Sequence, residues 1–461
     1  LPGRSKLKAY QPVESVTGNR KEEMEEALIE KILQPANLSM ACREVVRNKG
    51  AGGVDGMKVS ELEAYLHEHR STLTEQVRTR NYHAQPIRGK EIPKGSGKMR
   101  LLGIPTAIDR MLQQAVLRVI MPRYEQAFST YSYGFRPLRN TQQAVSKSLH
   151  YINSGYQHIV EIDLKQFFDM VDHVLLLQLL YRKIKCKTTM CLIRRWLRAP
   201  LEKDGKLIKR RIGVPQGSPI SPLLSNIMLH ELDTEMERLG LRFVRYADDF
   251  SIYCKTKSEA KRAGNQVYIY LRDKLKLPIN RDKSGIRRPI HFQILGYGFV
   301  AIYQKGVKGK YQLVVNRKRW KSLKAKLKEV TRKTTPMSFD ERIKKLHEIQ
   351  RGWLNAFKYA NIKGKLTELD GWLRNRLRYC IWHHWKKLER KRKNLIRLGV
   401  PPRDAYAWSR SRMGGWAIAQ SPILGTTITK ARLIKRGYIP LATMFKTISK
   451  NTEMNQLFPM V

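Results

Sequence analysis

Residues 243–254, Phe-Val-Arg-Tyr-Ala-Asp-Asp-Phe-Ser-Ile-Tyr-Cys, set two adjacent carboxylates, Asp248 and Asp249, between two β-prone runs. Such runs pair as a hairpin, with the acidic pair at its turn. A turn selected for stability alone would favour Asn-Gly or Asp-Gly, which accept positive φ. Two neighbouring anions with only Arg245 close in sequence repel each other, and a bound cation would offset that cost. Hard carboxylate oxygens suit Mg²⁺, which takes one or two carboxylates together with substrate phosphates. In isolation an Asp-Asp pair is more often a plain exposed turn, so the chemistry needs a further carboxylate. Asp163 supplies it at the end of His158-Ile159-Val160-Glu161-Ile162, which reads as a buried strand. With that strand beside the hairpin, Asp163 and Asp248 can share two metal ions about 4 Å apart, an arrangement that steadies the attacking and leaving oxygens in phosphoryl transfer. Nucleotide addition to a 3′-OH is the reaction to expect.

The elements that must position these groups belong to a chain of 461 residues, 42% of them hydrophobic, which is enough for roughly two to four domains. A net charge of +50 exceeds any solubility need and points to a polyanionic partner held in a salt-sensitive way. No apolar run is long enough to span a bilayer and no signal peptide is evident, so a cytoplasmic, nucleoid-associated location and no membrane partner are expected. Five cysteines, at positions 42, 186, 191, 254 and 380, include no Cys-x-x-Cys pair and read as reduced thiols. The chain opens at Leu1 without Met, which leads us to expect a start missing or altered in the native protein.

Residues 1–20 read as a flexible lead. Met24, Leu28 and Ile32 mark a helix ending before Pro35, and Leu38, Ala41 and Val45 mark a second. Residues 48–56 form a glycine-rich loop with no assigned task. Residues 93–105 form a Gly-tipped hairpin whose Lys94, Lys98 and Arg100 face either solvent or, near a metal site, a triphosphate. In Tyr131–Pro137 the aromatic residues suit a core and Arg136 suits a backbone phosphate, and nothing in the sequence separates the two readings. Residues 213–219 form a Gly/Pro-punctuated loop in which Gln216 can approach a flat substrate, followed by a helix capped by Ser221 with Pro222 in its first turn. Lys283 faces either solvent or a pyrophosphate leaving group. Phe292–Phe299 reads as a strand or hairpin. From Arg317 the chain turns to basic helices, with a Ser338/Glu341 capping box and a stripe of Ile343, Leu346, Ile349, Trp353 and Phe357 beside Arg342, Lys344, Lys345 and Arg351. This is either a bundle with a charged outer face or a nucleic-acid track, and the shortage of acids favours the track. A boundary falls near Gly399-Val400-Pro401-Pro402, and a basic tail follows.

Taken in order, Gly53-Val54-Asp55-Gly56, Arg100 to Pro105, Tyr133-Gly134-Phe135-Arg136-Pro137, Asp163 with Phe167-Phe168, Pro215-Gln216-Gly217, Tyr246-Ala247-Asp248-Asp249 and Leu295-Gly296 resemble the reverse transcriptases encoded by bacterial group II introns, in the compact form without an appended endonuclease. Arg351-Gly352-Trp353 through Trp382-His383-His384-Trp385 resembles their maturase-specific thumb. The resemblance implies an α+β right-hand polymerase: fingers and palm of antiparallel sheet plus helices, an α-helical thumb, and a small basic C-terminal region. We accordingly expect a lead over 1–20, an N-terminal extension and start of the fingers over 21–92, fingers and palm over 93–310, thumb over 311–398 and a DNA-binding region over 399–461. It further implies that Asp163, Asp248, Asp249 and the Leu164 carbonyl hold two Mg²⁺ ions, that Lys94 and Arg100 grip the dNTP triphosphate, and that Gln216 lies near the incoming nucleotide. Phe168, rather than Phe167, would exclude a ribose 2′-OH, and Lys283 would sit behind the site. The implied partners are group II intron RNA, an RNA template with a DNA primer, and target DNA. A domesticated enzyme serving repair or defence, and an RNA-binding maturase without polymerase activity, are the alternatives to an RNA-directed DNA polymerase that also assists splicing.

Overall fold

The computed structural model describes residues 27–93, 99–306 and 308–457. They divide into two compact units, one made of the residues up to Ala144 together with Tyr156–Arg287, the other of Val145–Gly155 and the residues from Arg288 onward.

The first unit carries two four-stranded sheets. One has the order β2-β1-β4-β5, from β1 (Ile87–Pro93), β2 (Met99–Ile104), β4 (Leu201–Lys203) and β5 (Lys206–Ile208). β1 and β2 form the expected basic hairpin, with Ile92 opposite Arg100 and Arg88 opposite Ile104. The second has the order β6-β7-β3-β8, from β3 (His158–Ile162), β6 (Arg242–Tyr246), β7 (Asp249–Cys254) and β8 (Gly285–Arg287). All its pairings are antiparallel, with Ile162 opposite Phe250 and Tyr246 opposite Asp249. The helix Lys257–Asp273 packs against β3 and β7 and buries Ala260, Ala263, Val267 and Leu271, one face at helical spacing. The helix Ser221–Arg238 is buried along much of its length, Ser225, Asn226 and Asp233 included, which suits a central position, and it touches β6 and the helix Ala107–Glu125.

In the second unit β9 (Gln293–Ile294), β10 (Tyr297–Ala301) and β11 (Tyr311–Val315) form a small antiparallel sheet. Leu295 and Gly296 both have positive φ and make a tight turn between β9 and β10. Helices follow, chiefly Arg317–Val330, Phe339–Ala356, Lys363–His384 and Leu441–Leu457. Buried Asp370 accepts bonds from the Tyr438 hydroxyl at 2.8 Å and from the backbone N–H groups of Leu441 and Ala442 at 2.7 and 3.0 Å. A carboxylate there meets the unpaired N–H groups that begin the last helix and fastens the C-terminal segment to the helix Lys363–His384.

Several local readings are corrected by the packing. Ser221 is not the cap of its helix, because its hydroxyl donates to the Pro215 carbonyl at 2.7 Å and Ile220 takes the cap position. The Ser338/Glu341 capping box is present, but the buried face of that helix is Arg342, Ile343, Leu346, Gln350 and Leu354. Arg342 is fully buried and donates to the carbonyls of Val330, Arg332 and Thr335, so it is no part of a charged outer face.

Candidate active site

Continuing the pairing of Ile162 with Phe250 by one residue sets Asp163 beside Asp249, at the ends of the two central strands. Asp248 and Ala247 are the two residues between β6 and β7. Asp163, 85 residues before Asp248 in the chain, therefore comes to the same end of the sheet as the acidic pair. Asp249 keeps contact with solvent on one side while protein surrounds it on the others. Burial, then the charges of Asp248, Asp163 and Glu161, push its carboxyl up to about 6, opposed by Lys283. A site that raises its own carboxylate in this way favours a cation.

Asp163 is held from the other side by the turn that follows Ile279. Its carbonyl accepts from Asn280 N–H at 2.7 Å, its N–H donates to the Ser284 hydroxyl at 3.1 Å, and its carboxylate meets Lys283 Nζ at 3.3 Å. Lys283 is thus neither simply solvated nor remote. Leu164 bridges Ile279 through the bonds of its two neighbours, the Asp163 carbonyl and Lys165 N–H. In an antiparallel pair of this kind the central residue's own carbonyl points away from its partner strand. The strand on the other side of β3 from β8 is β7, the strand that follows Asp248.

Among the described residues, no three His, Cys, Asp or Glu groups already stand at ligand spacing around one point. Mg²⁺ does not need such a cage, since it retains water and substrate oxygens in its shell and uses one or two carboxylates. Acid-only oxygen donors, a carboxyl raised by burial and then by its like-charged neighbours, and a lysine holding the third carboxylate fit that ion.

The turn itself is strained and buttressed. Ala247 has φ +58°, a region that costs a non-glycine residue about 1–2 kcal/mol. Gly134 lies against it so closely that a Cβ there would be 2.2 Å from Ala247 N. Below the turn, Arg245 is wholly buried. It donates to Asp233 Oδ1 at 2.7 Å, to Asn226 Oδ1 at 3.0 Å and to the Ala247 carbonyl at 3.0 Å. Asn226 in turn donates to the Gly134 carbonyl at 2.9 Å. Arg245, the cation nearest the acidic pair in sequence, pairs with Asp233 and so is not a counter-ion of Asp248 or Asp249. Arg136 is likewise buried, bound to Glu125 at 2.7 Å and to the carbonyls of Ser129 and Ser132, so it meets no phosphate. Tyr133 is core and Phe135 is exposed.

The other sequence candidates gather around the loop 213–217. Phe167 is buried at 3% exposure while Phe168 is half-buried, and the Phe168 carbonyl accepts from Val214 N–H at 2.6 Å. The half-buried Gln216 accepts through its carbonyl from Gly103 N–H at 2.8 Å, which ties the loop to β2. Gly217, at φ +122°, would place a Cβ 2.7 Å from the Gly103 carbonyl, so this crossing requires glycine. Arg100 is exposed on β2, three residues before the Gly103 that makes this crossing. Lys94 and Lys98 lie outside the described residues. The glycine-rich loop has a use after all: a Cβ on Gly53 would lie 2.6 Å from Thr106 Cα, and Arg110 donates to the Ala51 carbonyl at 2.7 Å.

Sequence reasoning missed Asp233, Asn226 and Gly134 as supports of the turn. The available signal was an amide and a carboxylate seven residues apart, hence on one helix face, among the apolar Leu223, Leu224, Ile227, Leu229, Leu232 and Met236, since buried polar groups need partners.

The family model described as reverse transcriptase (RNA-dependent DNA polymerase) matches residues 92–299. The model described as group II intron, maturase-specific domain, matches residues 320–399. Protein YkfC of Escherichia coli (strain K12) is 33% identical over 299 residues, covering 56% of this chain and 78% of that protein. The group II intron-encoded protein LtrA of Lactococcus lactis subsp. cremoris is 29% identical over 356 residues, covering 62% of this chain and 59% of LtrA. Among solved structures, a partial Cas6-RT-Cas1–Cas2 complex covers 54% of this chain and 43% of its own at 27% identity, with a TM-score of 0.35, too low for a comparison of folds.

Proposed function

Because the chain belongs to the family of reverse transcriptases and maturases encoded by group II introns, we propose that Asp163, Asp248 and Asp249 hold two Mg²⁺ ions for RNA-directed DNA synthesis. The observation that carries the reading is the strand register that brings Asp163 beside the Asp248–Asp249 turn. Bound there, the ions supply charge that activates a primer 3′-OH and neutralises the departing pyrophosphate. The chain's own groups do the rest. Leu164 presents its carbonyl on the side of β7, and Lys283, once the carboxylate is engaged elsewhere, offers its ammonium to a nucleotide phosphate. Phe168 stands where a sugar 2′-OH would meet it, Gln216 lies beside the nucleotide, and Arg100 with Lys94 grips the triphosphate.

In this reading the sheet β6-β7-β3-β8 is the palm and the sheet β2-β1-β4-β5 belongs to the fingers. Residues 311–398 form a thumb that grips the template–primer duplex and binds intron RNA by shape and phosphate contacts, and the basic segment 399–461 meets target DNA. The net charge of +50 supports binding of all these polyanions. No helix among the described residues is long and apolar enough to cross a membrane, and we place the protein with nucleic acid in the cytoplasm.

Extension of a DNA primer on an RNA template with dNTPs and Mg²⁺ tests the polymerase reading, and an absence of product with active template–primer binding would overturn it. Phe168→Ala should raise incorporation of ribonucleotides relative to deoxyribonucleotides on the order of 10-fold or more, the worth of about 1.4 kcal/mol of lost discrimination. Unchanged sugar selection would move the gate elsewhere. For the maturase role, the protein should speed excision of its intron at low Mg²⁺, where the RNA alone folds poorly, and a cognate intron indifferent to the protein would remove that role.

A further inference from the structure

The second unit contains a cleft of about 580 Å³ whose walls do not belong to the polymerase chemistry. On one side the helix Arg317–Val330 presents Lys321, Lys324 and Lys328, spaced three and four residues apart and therefore on one face. On the other, Trp372, Arg376 and Tyr379 project from the helix Lys363–His384 at the same spacing, and Trp416 comes from Gly415–Gln420.

The aromatic wall is built rather than incidental. Tyr379 and Trp416 meet edge to face with centroids 5.8 Å apart. The Arg376 guanidinium lies 5.6 Å from the Trp416 ring, 5.8 Å from Tyr379 and 6.0 Å from Trp372. It is fixed there by bonds to the Thr331 carbonyl at 2.6 Å and hydroxyl at 3.1 Å. Lys324 Nζ stands 5.2 Å over Trp372. Gly415 is needed for this approach, because a Cβ would come 2.9 Å from Tyr379 Cε2.

All three aromatic residues are half-buried, so each keeps part of its ring open, while the three lysines are exposed. No acidic residue lines the cleft, and none of the lysines pairs with a carboxylate among the described residues. Aromatic faces held beside a fixed guanidinium, under a row of uncompensated ammonium groups, match a flat π-system carrying phosphates on either side. A base inside a duplex is stacked on its neighbours and cannot enter.

We propose that this cleft captures an unpaired nucleobase of a bound RNA among Trp372, Tyr379 and Trp416, stacked on one of the two indoles with the other rings closing round it, while Lys321, Lys324 and Lys328 take the flanking phosphates. That the polynucleotide is RNA rests on the reading of this unit as the RNA-binding thumb.

The test uses the full chain and two RNA hairpins with the same short loop, one with a single bulged 2-aminopurine in its stem and one with that base paired. The wild type should quench 2-aminopurine fluorescence on binding and prefer the bulged hairpin. Trp372→Ala and Trp416→Ala should lose the quenching and weaken binding of the bulged hairpin roughly 10- to 100-fold, with the paired hairpin unaffected. Trp416→Phe, which keeps a stacking face, should retain both properties. Lys324→Glu, at an exposed position, should weaken the bulged hairpin without altering the fold. Equal losses for both hairpins, or unchanged binding of the bulged one in the alanine variants, would overturn the assignment. Primer extension on the same proteins reads the polymerase separately. Its absence from the wild type would sink the proposed function, whereas failure of the bulge experiment alone would sink only this cleft.

Discussion

Asp248→Ala should abolish Mg²⁺-dependent DNA synthesis on an RNA template while leaving RNA binding largely intact. Metal stabilisation of a phosphoryl-transfer transition state is worth several kcal/mol, and each 1.36 kcal/mol is tenfold in rate, so the loss should be at least about 10³-fold. The substitution should not unfold the protein. Asp248 sits half-exposed in a two-residue turn, bonded to no partner that its removal would strand. Its charge is the first electrostatic cause, after burial, of the raised Asp249 carboxyl, so its removal relieves repulsion and should bring Asp249 back towards the ordinary carboxylate range. The informative experiment therefore combines primer extension, RNA binding and thermal unfolding. Polymerisation by Asp248→Ala at a rate near the wild type would refute the metal assignment. A collapse of the unfolding temperature would mean the residue is structural.

Asp233→Ala should be the most destabilising single change near the site although Asp233 touches no substrate. Asp233 and Arg245 are both at 0% side-chain exposure. Removing the carboxylate strands a buried guanidinium, which costs roughly 3–5 kcal/mol and lowers the unfolding temperature by roughly 6–20 °C in a unit of this size. Polymerase activity should fall with it, because Arg245 also donates to the Ala247 carbonyl and so holds a strained turn. The double change Asp233→Leu with Arg245→Met separates the two effects. Apolar residues of similar volume recover much of the stability of a buried pair. They cannot donate to Ala247, so thermal stability should return while DNA synthesis stays low. A single Asp233→Ala variant that melts with the wild type would show that the pair does not anchor the turn.

These two residues show why two acids in one small region have opposite tasks. Asp233 is matched to a guanidinium by two parallel bonds and is spent on structure. Asp248 and Asp249 stand above it with no such partner, and Asp163 has only an exposed lysine, 68% accessible, that can be displaced. Surface ion pairs of that kind contribute about 0–1 kcal/mol, so releasing Asp163 to a cation costs little.

Much of the local structure was legible in the chain. β-prone runs placed the strands on either side of Asp248, a buried run placed β3 with Asp163 at its end, and helical spacing with Ser338/Glu341 placed the helix Phe339–Ala356. Residue type and order alone were also enough to single out the acidic triad. Which charges cancel was not legible, because that depends on elements far apart in the chain meeting in space. Arg245 was the one cation close to the acidic pair in sequence and belongs to Asp233; Arg136 suited a backbone phosphate and belongs to Glu125; Arg342 read as part of a charged outer face and is core. A side chain's type and neighbours along the chain set the chemistry it is capable of, while burial and the partners brought by the fold decide whether that chemistry is used up internally or left open to a ligand.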